Sequence, residues 1–361
     1  MRITFVLPYA GIAGGIRVIA MYAQQMQRDG HEVTIVSTPS HRGCLKHRIL
    51  TFLKEGKWPR HPKVGRSHLD NINVPHIILN RPRPIRGSDL PDGDVVIATW
   101  WETAHAVARL PSSKGAKAFF LQDVGVIPQQ LKKVMSVWSL PLHIITISPW
   151  LLSLVKLWNP TKDVSLIPNV PDTKTFYAPA RDKQRQPMVG FRYHPMSSKG
   201  SDITIEAIRL ARERIPNLQV VAYGEGAPTL DLPLPTGTIF KYQPTDQELR
   251  HIYSSCDAWL VTSRIEGFGL PILEAMTCRT PVISTPVGAA PQLLNNRNGI
   301  LTQPDDPEEI AEAINVICSL KKEEWRKMSD AAYATTTSYI IRDAMHLWHK
   351  AFDTAIRMTN Q

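Results

Sequence analysis

Residues 263–284 read SRIEGFGLPILEAMTCRTPVIS. Gly267 and Gly269 permit a tight loop and a close approach of ligand to backbone. Pro271 suits the first turn of a helix, which Ile272, Leu273, Ala275 and Met276 continue. The first turn of such a helix directs unpaired N–H groups and the positive end of the helix dipole into the loop, an arrangement that favours a diphosphate. Glu266 and Glu274, eight positions apart, bracket the loop. Carboxylates beside a phosphate site make sense if they face hydroxyls, because one carboxylate accepts two hydrogen bonds from a vicinal diol. A buried strand, PVIS, closes the stretch.

Outward from this stretch the chain alternates strand and helix. Apolar runs predict strands at Arg2–Leu7, Glu32–Ser37, Asp94–Thr99, Ala118–Gln122, Ile144–Ser148 and Ser165–Pro168. Further strands follow at Met188–Phe191, Gln219–Tyr223, Thr238–Lys241, Ala258–Val261 and Val282–Ser284. Gly11, Gly14 and Gly15 read as a loop before a helix carrying Ile16, Ile19, Ala20, Ala23 and Met26. Strand, glycine loop, helix and strand make a βαβ unit, and its repetition predicts an α/β protein with parallel sheets. The chain has 361 residues, which suits two domains of about 170 residues each. The expected division is an N-terminal domain over 1–170, a proline- and charge-rich linker over 171–187, a C-terminal domain over 188–338, and a helix over 339–361. That last helix carries Ile340, Ala344, Leu347, Trp348 and Phe352 on one side and is expected to pack back on the N-terminal domain.

Composition narrows the class. Apolar residues are 43% and charged residues 20% of the chain, the balance of a globular enzyme. Four cysteines without CxxC spacing indicate neither a zinc site nor a disulfide framework, and favour a reducing, cytoplasmic setting. The opening apolar run, Ile3–Leu7, is cut off by Pro8 and Gly11 and reads as a first strand rather than a leader. The net charge is +10. Between residues 41 and 86, an expected insertion, eleven Lys and Arg meet two acids. Such a patch suits an anionic membrane surface or a lipid pyrophosphate, giving a peripheral enzyme on the inner face of the membrane. Nucleic acid is not expected, since Phe52 and Trp58 are the patch's sole aromatic residues and offer no stacking platform.

The Glu-x7-Glu stretch with its following strand resembles the retaining nucleotide-sugar glycosyltransferases of family four. Other segments share the resemblance: Ile167-Pro168-Asn169-Val170 with Phe176, Gly190–Gly200 (GFRYHPMSSKG), Tyr223-Gly224-Glu225-Gly226, and Gly14-Gly15. It implies the GT-B fold, two Rossmann-like domains with the active site in the interdomain cleft. It further implies sugar transfer with retention, by front-face attack, from a nucleotide-sugar donor to a glycan or lipid-linked acceptor, without a cofactor or metal. On this resemblance Arg192 and Lys199 bind the donor diphosphate, Glu266 the sugar and Glu274 the ribose. Gly14, Gly15, Gly224, Gly267, Phe268, Gly269 and Leu270 line the donor, and His105 helps to position its sugar. The phosphate assignment is also what charge requires, because breaking a sugar–phosphate bond leaves new negative charge that Arg and Lys stabilise. Gln122 and Asp123 at a strand end, with Trp100, are acceptor candidates; a turn-capping aspartate and a packed tryptophan are equally ordinary readings. Arg279 departs from the family by standing where Gly is usual, and Gln292 by replacing an acid. The segments ATWWETA, FFLQD and YHPMSSKGSD are similar to rhamnosyltransferases of bacterial surface polysaccharides, which points to a deoxysugar.

Rival readings are weaker. Asp92-Gly93-Asp94 matches the metal-holding D-x-D of another glycosyltransferase fold but precedes its strand, so a turn is the better account. GxxGG over Gly11–Gly15 lacks the GxGxxG spacing of a dinucleotide fingerprint. A catalytically idle scaffold binding membrane or nucleic acid and a sugar-nucleotide epimerase remain as alternatives. A phosphorylase would need a longer chain and a covalent cofactor.

Overall fold

The computed structural model describes residues 1–39, 66–124 and 128–359. The described residues form two compact units. The first draws on Met1–Thr146, Leu154–Ile167 and Met345–Gln361, the second on Ile147–Ser153 and Pro168–Ala344.

The first unit is built on a seven-stranded sheet. In chain order come β1 (Arg2–Leu7), α1 (Gly14–Arg28), β2 (Glu32–Ser37), β3 (His76–Ile78), β4 (Val95–Ala98) and α2 (Trp101–Ala108). They are followed by β5 (Ala116–Leu121), α3 (Pro128–Ser136), β6 (His143–Thr146), α4 (Pro149–Trp158) and β7 (Val164–Leu166). The strand order is β3-β2-β1-β4-β5-β6-β7, every pair parallel. Parallel strands connected by helices are buried on both faces, which is why VVIA and HIIT show no polar alternation. The last helix, α11 (Ile341–Thr359), supplies Trp348 to this core, edge-on to Phe5, Tyr22 and Phe120.

The second unit repeats the scheme with six parallel strands in the order β10-β9-β8-β11-β12-β13. Its elements are β8 (Met188–Arg192), α5 (Ser201–Arg214), β9 (Gln219–Gly224), β10 (Ile239–Tyr242), α6 (Asp246–Ser255), β11 (Ala258–Val261), α7 (Leu270–Thr277) and β12 (Val282–Ser284). α8 (Ala290–Leu293), β13 (Gly299–Leu301), α9 (Pro307–Ser319) and α10 (Lys322–Thr337) complete it. Ala207, Ile208 and Ala211 of α5 and Ile310, Ile314 and Ile317 of α9 bury one face of the sheet, with Phe191, Val220, Leu260 and Ile283 beneath them. Burying such apolar area, at roughly 25 cal/mol per Å², is the main stabilising term. Residues 171–187 are anchored on this unit: Arg181 donates to the Cys256 carbonyl and to Thr280, Lys183 to the Leu320 carbonyl, and the Gln184 amide to Asp257.

The expected α/β class with two Rossmann-like units is what the structure has. Three local readings change. Helix α1 begins at Gly14, so Gly14 and Gly15 belong to its first turn rather than to the loop. Strands β3 and β13 were not expected; each has three residues, too few to establish a period. Ile340 lies ahead of α11 and is exposed, so it is no part of the apolar side. The basic segment from residue 41 lies outside the described residues as far as residue 65.

Candidate active site

In each sheet the chain leaves the first strand in one direction and returns on its other side, between β1 and β4 and between β8 and β11. The loops at the carboxyl ends of such neighbouring strands diverge, and ligands bind in the crevice they leave. In the second unit those loops carry Arg192, which ends β8, then Lys199, and the stretch Ser263–Gly269 after β11.

Lys199 Nζ donates to Glu266 Oε1 at 2.9 Å, and Ser263 Oγ donates to the same oxygen at 2.9 Å. Arg192 Nη2 donates to Glu225 Oε1 at 2.6 Å. Burial works against the Arg192 charge, but Tyr223, Glu225, Glu266 and Tyr253 together outweigh it, so the guanidinium titrates above its ordinary value. Arg192, His194, Lys199, Ser263, Glu266 and Pro271 line a common hollow. His194 Nδ1 accepts the Met196 amide at 3.1 Å, which places the neutral ring's proton on Nε2 and makes that atom a donor. Burial and then the Arg192 charge pull His194 below the usual histidine range and keep it neutral.

Backbone conformation brings these groups together. Gly200 caps α5 with φ +66°, and a Cβ there would meet the Thr262 carbonyl oxygen at 1.9 Å. The β8 loop therefore packs directly on the β11 loop. Gly269, at φ +91°, caps α7 and turns the chain into the helix whose Pro271 lines the hollow. The Gly267 carbonyl accepts from Ser148 Oγ at 2.7 Å and Trp150 Nε1 at 3.0 Å, which fixes the peptide joining Gly267 to Phe268. Phe268 is buried under the loop, and its carbonyl accepts the Ala289 amide. Glu274 is almost fully buried in α7, with Oε2 accepting from the Tyr253 hydroxyl at 2.7 Å. Leu270 opens α7 and Gly224 ends β9. The structure thus brings Arg192, Lys199 and Glu266 to one hollow and sets Glu274 in the helix beside it. Gln292 lies in α8, exposed and outside the hollow's lining.

The other candidates belong to the first unit. Gly14 and Gly15 follow β1, Trp100 follows β4, and Gln122 and Asp123 follow β5, so these stand at the carboxyl edge of three adjacent strands, while His105 lies in the last turn of α2. Gln122 Nε2 donates to the Gly15 carbonyl at 3.3 Å, and its buried Oε1 has no hydrogen-bond partner among the described residues. Asp123 Oδ1 accepts the Val124 amide at 2.7 Å, as a turn-capping aspartate does. His105 sits edge-on to Trp101, with ring centroids 6.4 Å apart. Asp92 and Asp94 lie at the opposite edge, ahead of β4. Lys114 Nζ donates to Asp92 at 2.8 Å, and the Arg2 amide and guanidinium donate to Asp94 at 2.7 and 3.0 Å. Among the described residues no group of three or more His, Cys, Asp or Glu is placed to hold a metal ion.

Sequence reasoning missed His194, the Arg192–Glu225 pair and the tyrosines on Glu274. His194 could have been found, since it stands two positions beyond Arg192 at the end of a buried strand. The tyrosines could not, because Tyr253 reaches Glu274, and Tyr223 reaches Tyr253, from separate elements.

Residues 187–319 match the family model described as Glycosyl transferases group 1. That span holds every site residue of the second unit named above except Ser148 and Trp150. The O-antigen chain mannosyltransferase B of Escherichia coli is 34% identical over 86 residues, which is 24% of this chain and 22% of that protein. This chain thus spans about a fifth of the length of that curated relative. Sucrose-phosphate synthase from Thermosynechococcus elongatus shares the fold with a TM-score of 0.72 at 18% identity, over 98% of this chain and 100% of that one. HepE of Anabaena, solved with UDP and glucose, has a TM-score of 0.70 at 17% identity, over 97% of this chain and 98% of that one. At these identities the structural likeness establishes the GT-B fold.

Proposed function

We propose that this protein is a retaining glycosyltransferase that moves a sugar from a nucleotide diphosphate to a hydroxyl of a glycan or lipid-linked acceptor. The observation that carries the reading is the meeting of Arg192, Lys199 and Glu266 in one hollow at the β8–β11 crossover, within the span that matches the transferase family. Arg192 and Lys199 take the diphosphate. As the bond between the sugar C1 and the phosphate oxygen breaks, its electron pair stays on the phosphate, and two fixed cations stabilise it. Glu266 accepts hydrogen bonds from sugar hydroxyls and Glu274 from the ribose diol. The acceptor oxygen bonds to C1 on the face the phosphate leaves, and its proton passes to that phosphate. The N-terminal glycines Gly14 and Gly15, with His105, serve the donor, while Gln122, Asp123 and Trp100 serve the acceptor. No step calls for a metal. We further propose a hexose or deoxyhexose as cargo, with rhamnose favoured by the sequence resemblance, and a cytoplasmic enzyme peripheral on the membrane. No helix of the described residues is long and apolar enough to cross a membrane.

The test is a panel of UDP-, GDP- and dTDP-linked sugars, screened with purified protein for binding and slow donor hydrolysis, with NMR reading the anomer released to acceptor. One donor should bind and turn over, with the α- or β-configuration of the donor kept in the product. Interconversion of sugar nucleotides without transfer would favour the epimerase, and binding to none of them would favour the idle scaffold.

A further inference from the structure

Glu274 is held by more than its own helix. Its Oε2 accepts the Tyr253 hydroxyl at 2.7 Å, and the Tyr253 and Tyr223 hydroxyls lie 3.0 Å apart. A phenol has one proton. Tyr253 gives its proton to the carboxylate, so its oxygen receives one from Tyr223, and the bonds run in one direction from Tyr223 through Tyr253 to Glu274. Burial, with the Glu274 charge next in weight, pushes the Tyr253 phenol well above its usual range, so it remains a donor at any working pH. The rings themselves cannot swing. Tyr253 stands edge-on to Trp259 at 4.6 Å and to Phe176 at 5.8 Å, and Tyr223 stacks on Trp259 at 5.8 Å with 21° between the planes. Phenylalanine at 223 and 253 would fill the same space without bringing buried polar atoms to be satisfied. Both hydroxyls instead serve one carboxylate, in the helix beside the hollow that holds Arg192 and Lys199.

We infer that Tyr253, backed by Tyr223, is a positioning residue that fixes the Glu274 carboxylate to receive the ribose diol of the nucleotide. The inference rests on the reading of Glu274 as the ribose ligand. It predicts an effect that a merely structural tyrosine would not have: the loss should fall on ribose recognition alone, because diphosphate contacts are made by other residues.

The experiment is calorimetric titration of wild type, Tyr253→Phe, Tyr223→Phe, Glu274→Ala and the Tyr253→Phe/Glu274→Ala double variant. The probes are UDP, GDP and their 2′,3′-dideoxy counterparts, with folding checked by thermal melting. Wild type should prefer the ribonucleotide by about tenfold or more, the scale of a hydrogen bond to a charged group. Tyr253→Phe should lose most of that preference while binding the dideoxy form within about twofold of wild type, and should add nothing in the Glu274→Ala background. Tyr223→Phe, one bond removed, should show the same selectivity at smaller size, and it carries the test alone if Tyr253→Phe does not fold. Equal weakening of ribo and dideoxy forms, or an unchanged preference, would overturn the positioning role while leaving the proposed function intact. Failure of wild type to bind UDP or GDP would overturn the positioning role, and failure to bind any UDP-, GDP- or dTDP-linked donor would overturn the proposed function as well.

Discussion

Lys199 Nζ and Glu266 Oε1 are joined at 2.9 Å, with each side chain about four-fifths buried. The pair links the β8 loop to the β11 loop. An ammonium has three N–H donors, and Glu266 accepts a hydrogen bond from one of them. The same pair therefore neutralises a partly buried carboxylate and leaves the cation able to meet an incoming phosphate. A buried pair of this kind adds little net stability, and its value lies in fixing geometry.

Lys199→Ala and Glu274→Ala should each weaken nucleotide-sugar binding or turnover by more than about tenfold, the scale of a charge-assisted hydrogen bond at roughly 1.5–3 kcal/mol. Circular dichroism should show both variants folded. Wild-type kinetics in both would remove these residues from the site.

Turnover should persist after exhaustive treatment with EDTA. Asp92 and Asp94 are paired with Lys114 and Arg2 at the sheet edge away from the candidate residues. Asp92→Asn and Asp94→Asn should accordingly keep the wild-type rate. Complete loss of activity on chelation, restored by magnesium or manganese, would count against the assignment of the diphosphate to Arg192 and Lys199 alone.

The buried His143 should make stability depend on pH. Its Nε2 is bonded to Ser165 Oγ at 2.9 Å, and burial lowers its pKa from 6.5 to about 4. Between these values the unfolded chain binds a proton that the native state refuses. Stability is therefore full above pH 6.5, falls as pH drops towards 4, and levels off below. The loss amounts to about 3 kcal/mol at most. Urea melts at pH 7 and pH 4.5 should show a smaller difference in His143→Gln than in wild type. An unchanged difference would mean that His143 does not carry it.

Arg279 occupies the left-handed region at φ 61°, just past the end of α7. The strain, roughly 1–3 kcal/mol for a non-glycine residue, is offset by contacts. Arg279 pairs with Asp330, lies 4.3 Å over the Tyr333 ring and donates to the Ala178 carbonyl. Arg279→Ala keeps the strain and loses the contacts, so it should destabilise by about 1–2 kcal/mol more than does Arg279→Gly, which relieves the strain. Chemical denaturation of the two variants measures the difference. Alanine as stable as glycine would contradict the account.

The basic segment 41–86 should bind anionic liposomes, each basic residue near the surface contributing about 1 kcal/mol. Co-sedimentation should require anionic lipid, decline with salt, and vanish when Arg42, Lys46, Arg48 and Lys54 become Ser. Equal recovery with neutral and anionic liposomes would assign the patch to solvent.

The fold class was legible in the sequence. The alternation of apolar runs with helical spacing gave the α/β class and eleven of the strands to within about two residues, because both periods are local. Arg192 and Lys199 were singled out for the charge that a breaking sugar–phosphate bond develops and Glu266 for its capacity to accept from hydroxyls, and the structure brings the three to one hollow. Tertiary structure alone decided the rest. Strand order brought the β8 and β11 loops side by side and so joined Lys199 to Glu266, though they lie 67 positions apart. Pairing with a neighbour made strands of the three-residue segments β3 and β13. The Arg192–Glu225 bond and the tyrosines on Glu274 likewise depend on which elements pack together. A hydrogen bond between distant residues is set by the crossovers that place their elements, and neither residue's local sequence carries a record of the other.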